Sequence, residues 1–173
     1  MRLFFALWPE PGTLAASVER LRGLASGGEG RPQRPDQLHL TLEFLGDVPE
    51  SRLAAVLEAG AAASGNLAPF EVVLDRIEHW RRPQVLCLTA EVTPPPLVAL
   101  VESLRAGLVA RGFQTERRPF KAHLTLARKV RRPPGSAEVE PLVWPAHEFS
   151  LVESTTDPAG SRYQRLATWP IGH

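Results

Sequence analysis

The chain has one cysteine, one methionine and one tyrosine in 173 residues. A single cysteine, Cys87, excludes an intramolecular disulfide. Its setting, Val85-Leu-Cys-Leu-Thr89, reads as a buried strand with a core thiol rather than a nucleophile. Zinc-binding patterns of the CxxC or HExxH kind are missing. Lysine is scarce as well: Lys121 and Lys129 are the only two, so the basic side is arginine, whose planar fork suits phosphate. Net charge is +1, so nothing global demands a nucleic-acid partner. The apolar start Met1–Trp8 is cut off by Pro9 and Glu10. It falls short of the roughly 20 residues a membrane span needs, and it has no small-residue cleavage site. It is expected to be the first strand of a cytoplasmic protein without a membrane partner.

What is present is an ordinary globular balance, 43% hydrophobic and 23% charged, enough for one core in a single bilobal domain over residues 1–173. Strand one is expected at Arg2–Trp8, followed by a helix from Pro11 to about Ala25 with Leu14, Val18 and Leu21 at helical spacing. A Pro-containing loop, Arg31–Gln37, leads into a strand at Leu38–Leu45, and Pro49–Ala63 reads as an amphipathic helix. Strands at Phe70–Ile77 and Val85–Val92 form a hairpin across His79–Pro83, with Trp80, Arg81 and Arg82 at its tip. Pro94-Pro95-Pro96 opens a third helix that ends near Gly112. Phe120 leads into another strand ending near Lys129. Arg131–Glu140 reads as a Pro/Gly loop, and Phe149–Ser154 and Tyr163–Trp169 as the last two strands. The order β-α-β-α-β-β-α-β-β-β, with hairpins available between neighbours, predicts an α+β fold of mostly antiparallel sheet.

The tetrapeptide His-Leu-Thr-Leu occurs twice, at His39–Leu42 and His123–Leu126, each time after a predicted helix. Side chains alternate faces along a strand, so His39 with Thr41 and His123 with Thr125 each share a face while the leucines point to a core. On the residues alone two readings stand: half-buried strand histidines satisfied in place, or two imidazoles brought together as acid and base around a phosphate. Strict alternation puts Phe44 and Arg128 on the opposite face, and only a bulge would bring them round. If one does, Arg128 can clamp phosphate and Phe44 can stack on a base. Two further arrangements are open, an RNA-binding module with little catalysis and a metal site of His39, His123 and Glu43.

The extended context of both copies resembles the 2H phosphoesterase superfamily, and within it the LigT-like RNA 2′,3′-cyclic phosphodiesterases, also called 2′-5′ RNA ligases. The likeness rests on Met1-Arg-Leu-Phe-Phe-Ala6, Arg34-Pro-Asp-Gln-Leu-His-Leu-Thr-Leu-Glu-Phe-Leu-Gly46, Gly112-Phe113, Arg118-Pro-Phe-Lys-Ala-His-Leu-Thr-Leu-Ala-Arg128 and Tyr163. It implies two pseudo-symmetric α+β lobes with a cleft between them. It also implies opening of a terminal 2′,3′-cyclic phosphate to a 2′-phosphate without metal or cofactor. Carried over by position, His39 is the general acid, His123 the general base, and Thr41, Thr125 and Arg128 bind phosphate. The implied ligands are RNA with 2′,3′-cyclic phosphate ends or small cyclic nucleotides, and the protein is expected to be a monomer. The chain departs from the family at Arg31–Pro35, where an aromatic residue is often found. A stacking surface is therefore either missing or supplied by Phe44, Trp80 or Phe120.

Overall fold

Arg2–Leu7 (β1) is apolar at every position after Arg2 because it is covered on both sides: Leu3, Phe5 and Leu7 enter the main core, Phe4 and Ala6 a smaller cluster with Val152. The computed structural model describes residues 1–9, 30–65, 67–132, 137–157 and 160–172. The helix expected over Pro11–Ala25 lies outside them. The remaining elements are β2 (Arg31–Pro32), β3 (Leu40–Asp47), α1 (Leu53–Ala63), β4 (Phe70–Trp80), β5 (Val85–Thr89), α2 (Pro95–Ala110), β6 (His123–Arg128), β7 (Ala137–Ala146), β8 (Glu148–Asp157) and β9 (Gly160–Pro170).

Among the described residues all the strand pairs are antiparallel and make one open sheet in the order β7-β4-β5-β6-β3-β1-β8-β9, with β2 against β6. The sheet is two similar halves, β3-β1-β8-β9 and β6-β5-β4-β7, each beginning with a motif strand. The α+β expectation is met in this arrangement. The join is narrow: β3 and β6 share the single register pair Leu40↔Leu124 and then run apart.

Helices α1 and α2 pack against each other, and α2 buries the stripe Leu97, Leu100, Val101, Leu104 and Leu108, which recur at helical spacing. Its end is a Schellman turn: Gly112 takes φ +77°, the Phe113 N–H reaches the Leu108 carbonyl and the Gly112 N–H that of Val109. Gly60 lets the Trp169 ring lie against α1, where a Cβ would come within 2.5 Å of the indole. Among the described residues no helix is long and apolar enough to cross a membrane.

Two expectations need correction. The hairpin turn is shorter than expected: β4 runs on through His79 and Trp80, and β5 stops at Thr89. The segment read as a loop to Glu140, with no strand before Phe149, contains β7. Pro141 and Pro145 hid it. Proline is tolerated there because β7 is an edge strand, paired among the described residues only with β4.

Candidate active site

The narrow join is where the two tetrapeptides meet. Leu40 faces Leu124, so one step either way in that register sets His39 beside Thr125 and Thr41 beside His123, all on one face. Leu40, Leu42, Leu124 and Leu126 are buried on the opposite face, while the two histidines and two threonines are partly exposed. Because the strands diverge beyond this point, the polar face opens into a cleft.

Each motif strand then carries a bulge at the same place. Ala6 pairs with Thr41 and Phe5 with Glu43, so β3 holds an extra residue at Leu42. Cys87 pairs with Thr125 and Leu86 with Ala127, so β6 holds one at Leu126. An extra residue reverses the alternation. Glu43 and Ala127 turn inward to 2% and 0% exposure, and Phe44 and Arg128 swing onto the histidine face. The bulges thus supply the condition that strict alternation denied.

Both imidazoles are anchored alike. His39 Nδ1 lies 2.7 Å from the Gln37 carbonyl and His123 Nδ1 2.9 Å from that of Lys121, in each case two residues upstream. A carbonyl only accepts, so both rings carry Nδ1–H and leave the Nε2 lone pair for the cleft. Their surroundings differ. His39 sits in an aromatic box: Trp8 stacked at 5.0 Å, Phe4 at 5.0 Å and Tyr163 edge-on at 5.1 Å. His123 has, among the described residues, one ring packed on it, Trp80 at 4.7 Å. Burial pushes the His39 imidazolium down to about 4; the Gln37 carbonyl opposes this, and the charges of Arg128 and His123 add to it. Burial also lowers His123, opposed by the Lys121 carbonyl and reinforced by Arg128 and Lys121. Arg128 presses on both rings, so an anion that neutralises it would raise both.

Two cavities of about 300 Å³ each meet at Thr41 and Phe44. The one beside His39 is polar, lined by Arg2, Arg128, Ser154, Thr156, Ser161 and Tyr163. The one beside His123 is walled by Phe44, Trp80 and Phe120, with Arg118 and Lys121 at its rim. The three aromatics expected to replace the missing stacking residue therefore lie around one cavity. Phe44 is 47% exposed, with the Arg2 guanidinium 5.1 Å from its ring.

Thr125 lies on the shared face with Oγ1 3.9 Å from Cys87 Sγ. Other residues considered from the sequence do not join. Cys87 is buried, and burial pushes its thiol up to about 12, which fits the core reading. Glu43 does not face the histidines. Its carboxylate accepts from Arg105 Nε and from the Glu116 N–H, both at 2.7 Å, so the three-ligand metal set is not assembled. No cluster of three or more His, Cys, Asp or Glu among the described residues is arranged for a metal ion. His79 is not at a hairpin tip; its Nε2–H donates to the Val130 carbonyl at 2.8 Å.

The sequence reading missed the Phe4–Trp8 wall, although its signal was there: Phe4, Ala6 and Trp8 alternate onto one face of the strand beside the first motif. Nothing in the sequence pointed to Glu78, which joins Trp80, Thr89 and Lys121.

An antiparallel sheet that sets two Nδ1-anchored histidines, each in a His-x-Thr step, on one cleft face is the arrangement of a two-histidine phosphoesterase. Sequence comparison is specific: the LigT-like phosphoesterase profile matches residues 7–87 and 89–163, one motif in each stretch. The chain belongs to the LigT-like phosphoesterase family. It is 35% identical to an RNA 2′,3′-cyclic phosphodiesterase of Thermus thermophilus, over 99% of this chain and 90% of that protein. It is 32% identical to one of Escherichia coli, over 98% and 96%. The crystal structure of E. coli LigT complexed with 3′-AMP superposes with a TM-score of 0.84 at 28% identity, covering 99% of this chain and 98% of that one.

Proposed function

We propose that the chain is an RNA 2′,3′-cyclic phosphodiesterase that opens the cyclic phosphate by two-histidine acid-base catalysis, leaving a 2′-phosphate. The observation that carries this reading is the pair of imidazoles, both fixed as Nδ1–H, on one cleft face with the Arg128 charge bearing on both. Relatives that bear this name over nearly their whole length support the substrate class, as does the 3′-AMP complex of the E. coli protein.

In the proposed step His123 Nε2 takes a proton from water as the water oxygen attacks phosphorus. The P–O3′ bond breaks, and His39 Nε2 delivers a proton to the departing O3′. Arg128, Thr41 and Thr125 donate to the non-bridging oxygens, where charge builds up. Phe44, Trp80 and Phe120 offer base-stacking faces. In 2′-5′ ligation a 5′-hydroxyl takes the place of water and the histidines keep their roles; only the reversal, attack of the 3′-hydroxyl on the 2′-5′ linkage, exchanges them. No metal takes part, and the enzyme acts as a cytoplasmic monomer on RNA ends or small cyclic nucleotides. A module that merely grips RNA ends has no use for two Nε2 lone pairs aimed at one phosphate.

The test is product analysis on an oligonucleotide ending in a 2′,3′-cyclic phosphate, in a chelator, resolving 2′- from 3′-phosphate. Conversion to the 2′-phosphate is expected. Tight binding without turnover, or activity abolished by the chelator, would refute the reading.

The pH dependence has a definite sign. Turnover needs one neutral and one protonated imidazole, so the competent free enzyme is the singly protonated form. His39 gains its proton near 4 and His123 below the ordinary 6.5. At pH 7 most free molecules carry no proton on either ring. The kcat/KM maximum is thus expected below pH 6.5. The kcat profile should lie at higher pH, because the bound phosphate offsets Arg128. These profiles count protons and not their places, so they hold for either acid-base assignment. A kcat/KM optimum above pH 7.5 would contradict the burial argument.

A further inference from the structure

The wall behind His123 contains a carboxylate that the proposed reaction does not use. Cross-strand register places Glu78 opposite Cys87 and Cys87 opposite Thr125, so Glu78 rises from β4 on the histidine face. Thr89, fully buried, pairs directly with His123. The Glu78 carboxylate collects three donors. Lys121 Nζ lies 2.7 Å from each oxygen, Thr89 Oγ1–H reaches Oε1 at 3.0 Å, and Trp80 Nε1–H reaches Oε2 at 3.0 Å. Two of these donors belong to residues that hold His123. The Trp80 ring lies 4.7 Å from the imidazole, and the Lys121 carbonyl accepts its Nδ1–H at 2.9 Å.

We propose that Glu78 is a positioning residue for His123: it fixes the indole that packs on the imidazole and the lysine whose carbonyl sets the Nδ1–H tautomer. This inference rests on the acid-base reading of His123. The physical case is that a catalytic ring must be held in one rotamer and one tautomer, and each is fixed by a different partner. His39 needs no such group, because Phe4, Trp8 and Tyr163 already enclose it. Among the described residues one ring, Trp80, packs on His123, so the order of the imidazole depends on what holds that indole. Glu78 touches no reacting atom and acts only through Trp80 and Lys121.

The experiment compares wild type, Glu78→Ala, Glu78→Gln and Lys121→Met on a 2′,3′-cyclic nucleotide, with nitrogen-15 NMR of the histidine rings. Glu78→Ala should lower kcat by about 10- to 100-fold with KM changed less than about threefold, the range for loss of a group that orients a catalytic ligand. The His123 signals should change from a single Nδ1–H tautomer to a mixture, while those of His39 stay in place. Glu78→Gln, which keeps an acceptor for Trp80 or Thr89, should recover most of kcat. Lys121→Met should lose less than Glu78→Ala, since Glu78 still accepts from Trp80 and Thr89. Wild-type kcat in Glu78→Ala, or a loss of kcat with the His123 tautomer unchanged, would overturn the proposal. A wild-type enzyme that does not hydrolyse the cyclic phosphate would instead bring down the functional reading itself.

Discussion

His39→Ala and His123→Ala are each expected to lower kcat on a 2′,3′-cyclic phosphate by about 10³-fold, within the usual 10²–10⁴ of a general acid or base. The double variant should be little worse than either single one, because the two rings act in one proton transfer and their losses do not add. KM should move far less in His123→Ala, since Arg128, Thr41 and the aromatic wall of Phe44, Trp80 and Phe120 remain to bind substrate. His39→Ala empties the space between Phe4, Trp8 and Tyr163, so a melting curve belongs beside its kinetics. Steady-state assays on a mononucleotide cyclic phosphate measure both variants. Retention of a tenth of wild-type kcat in either would sink two-histidine catalysis.

The second large effect concerns folding. Glu43→Ala is expected to cost about 3 kcal/mol, the scale of leaving a buried ion-pair partner behind. Arg105 Nε donates to Glu43 Oε2 across the gap between α2 and β3, with side-chain exposures of 19% and 1%. The Glu116 N–H donates to Oε1, and Arg105 Nη1 also reaches the Arg118 carbonyl at 3.1 Å. One carboxylate therefore ties the first motif strand to the segment that delivers the second. Its removal strands a guanidinium and leaves an N–H without its acceptor. A fall in melting temperature of about 6–12 °C follows for a domain of this size. Glu43→Gln should lose less, since its amide oxygen still accepts from the Glu116 N–H. In both variants kcat measured well below the melting transition should stay within about tenfold of wild type, as for a group acting on stability rather than on the reacting atoms. Abolished turnover in a folded Glu43→Gln would return Glu43 to the reaction and contradict its structural role.

Much of this protein was legible in its sequence because strand alternation is a local property. The repeat of His-Leu-Thr-Leu fixed which side chains share a face, and the leucines between them are buried as that pattern requires. The stripe of α2 and its stop at Gly112 were equally local. The β7 strand was not legible, since its prolines are tolerated only through its place at the sheet edge.

The sequence by itself determined the paired His-x-Thr side chains, their sharing of a face within each motif and the family to which the chain belongs. The tertiary structure alone decided that Phe44 and Arg128 join them, that Glu43 leaves them, and that His39 and His123 have unequal surroundings. The physical reason is range. A bulge exists only relative to the partner strand, so Thr41 must pair with Ala6 and Glu43 with Phe5 before the alternation can reverse. The aromatic box of His39 and the Glu78 clamp behind His123 likewise join residues far apart in the chain. Only the cross-strand register of the folded sheet brings them to one face.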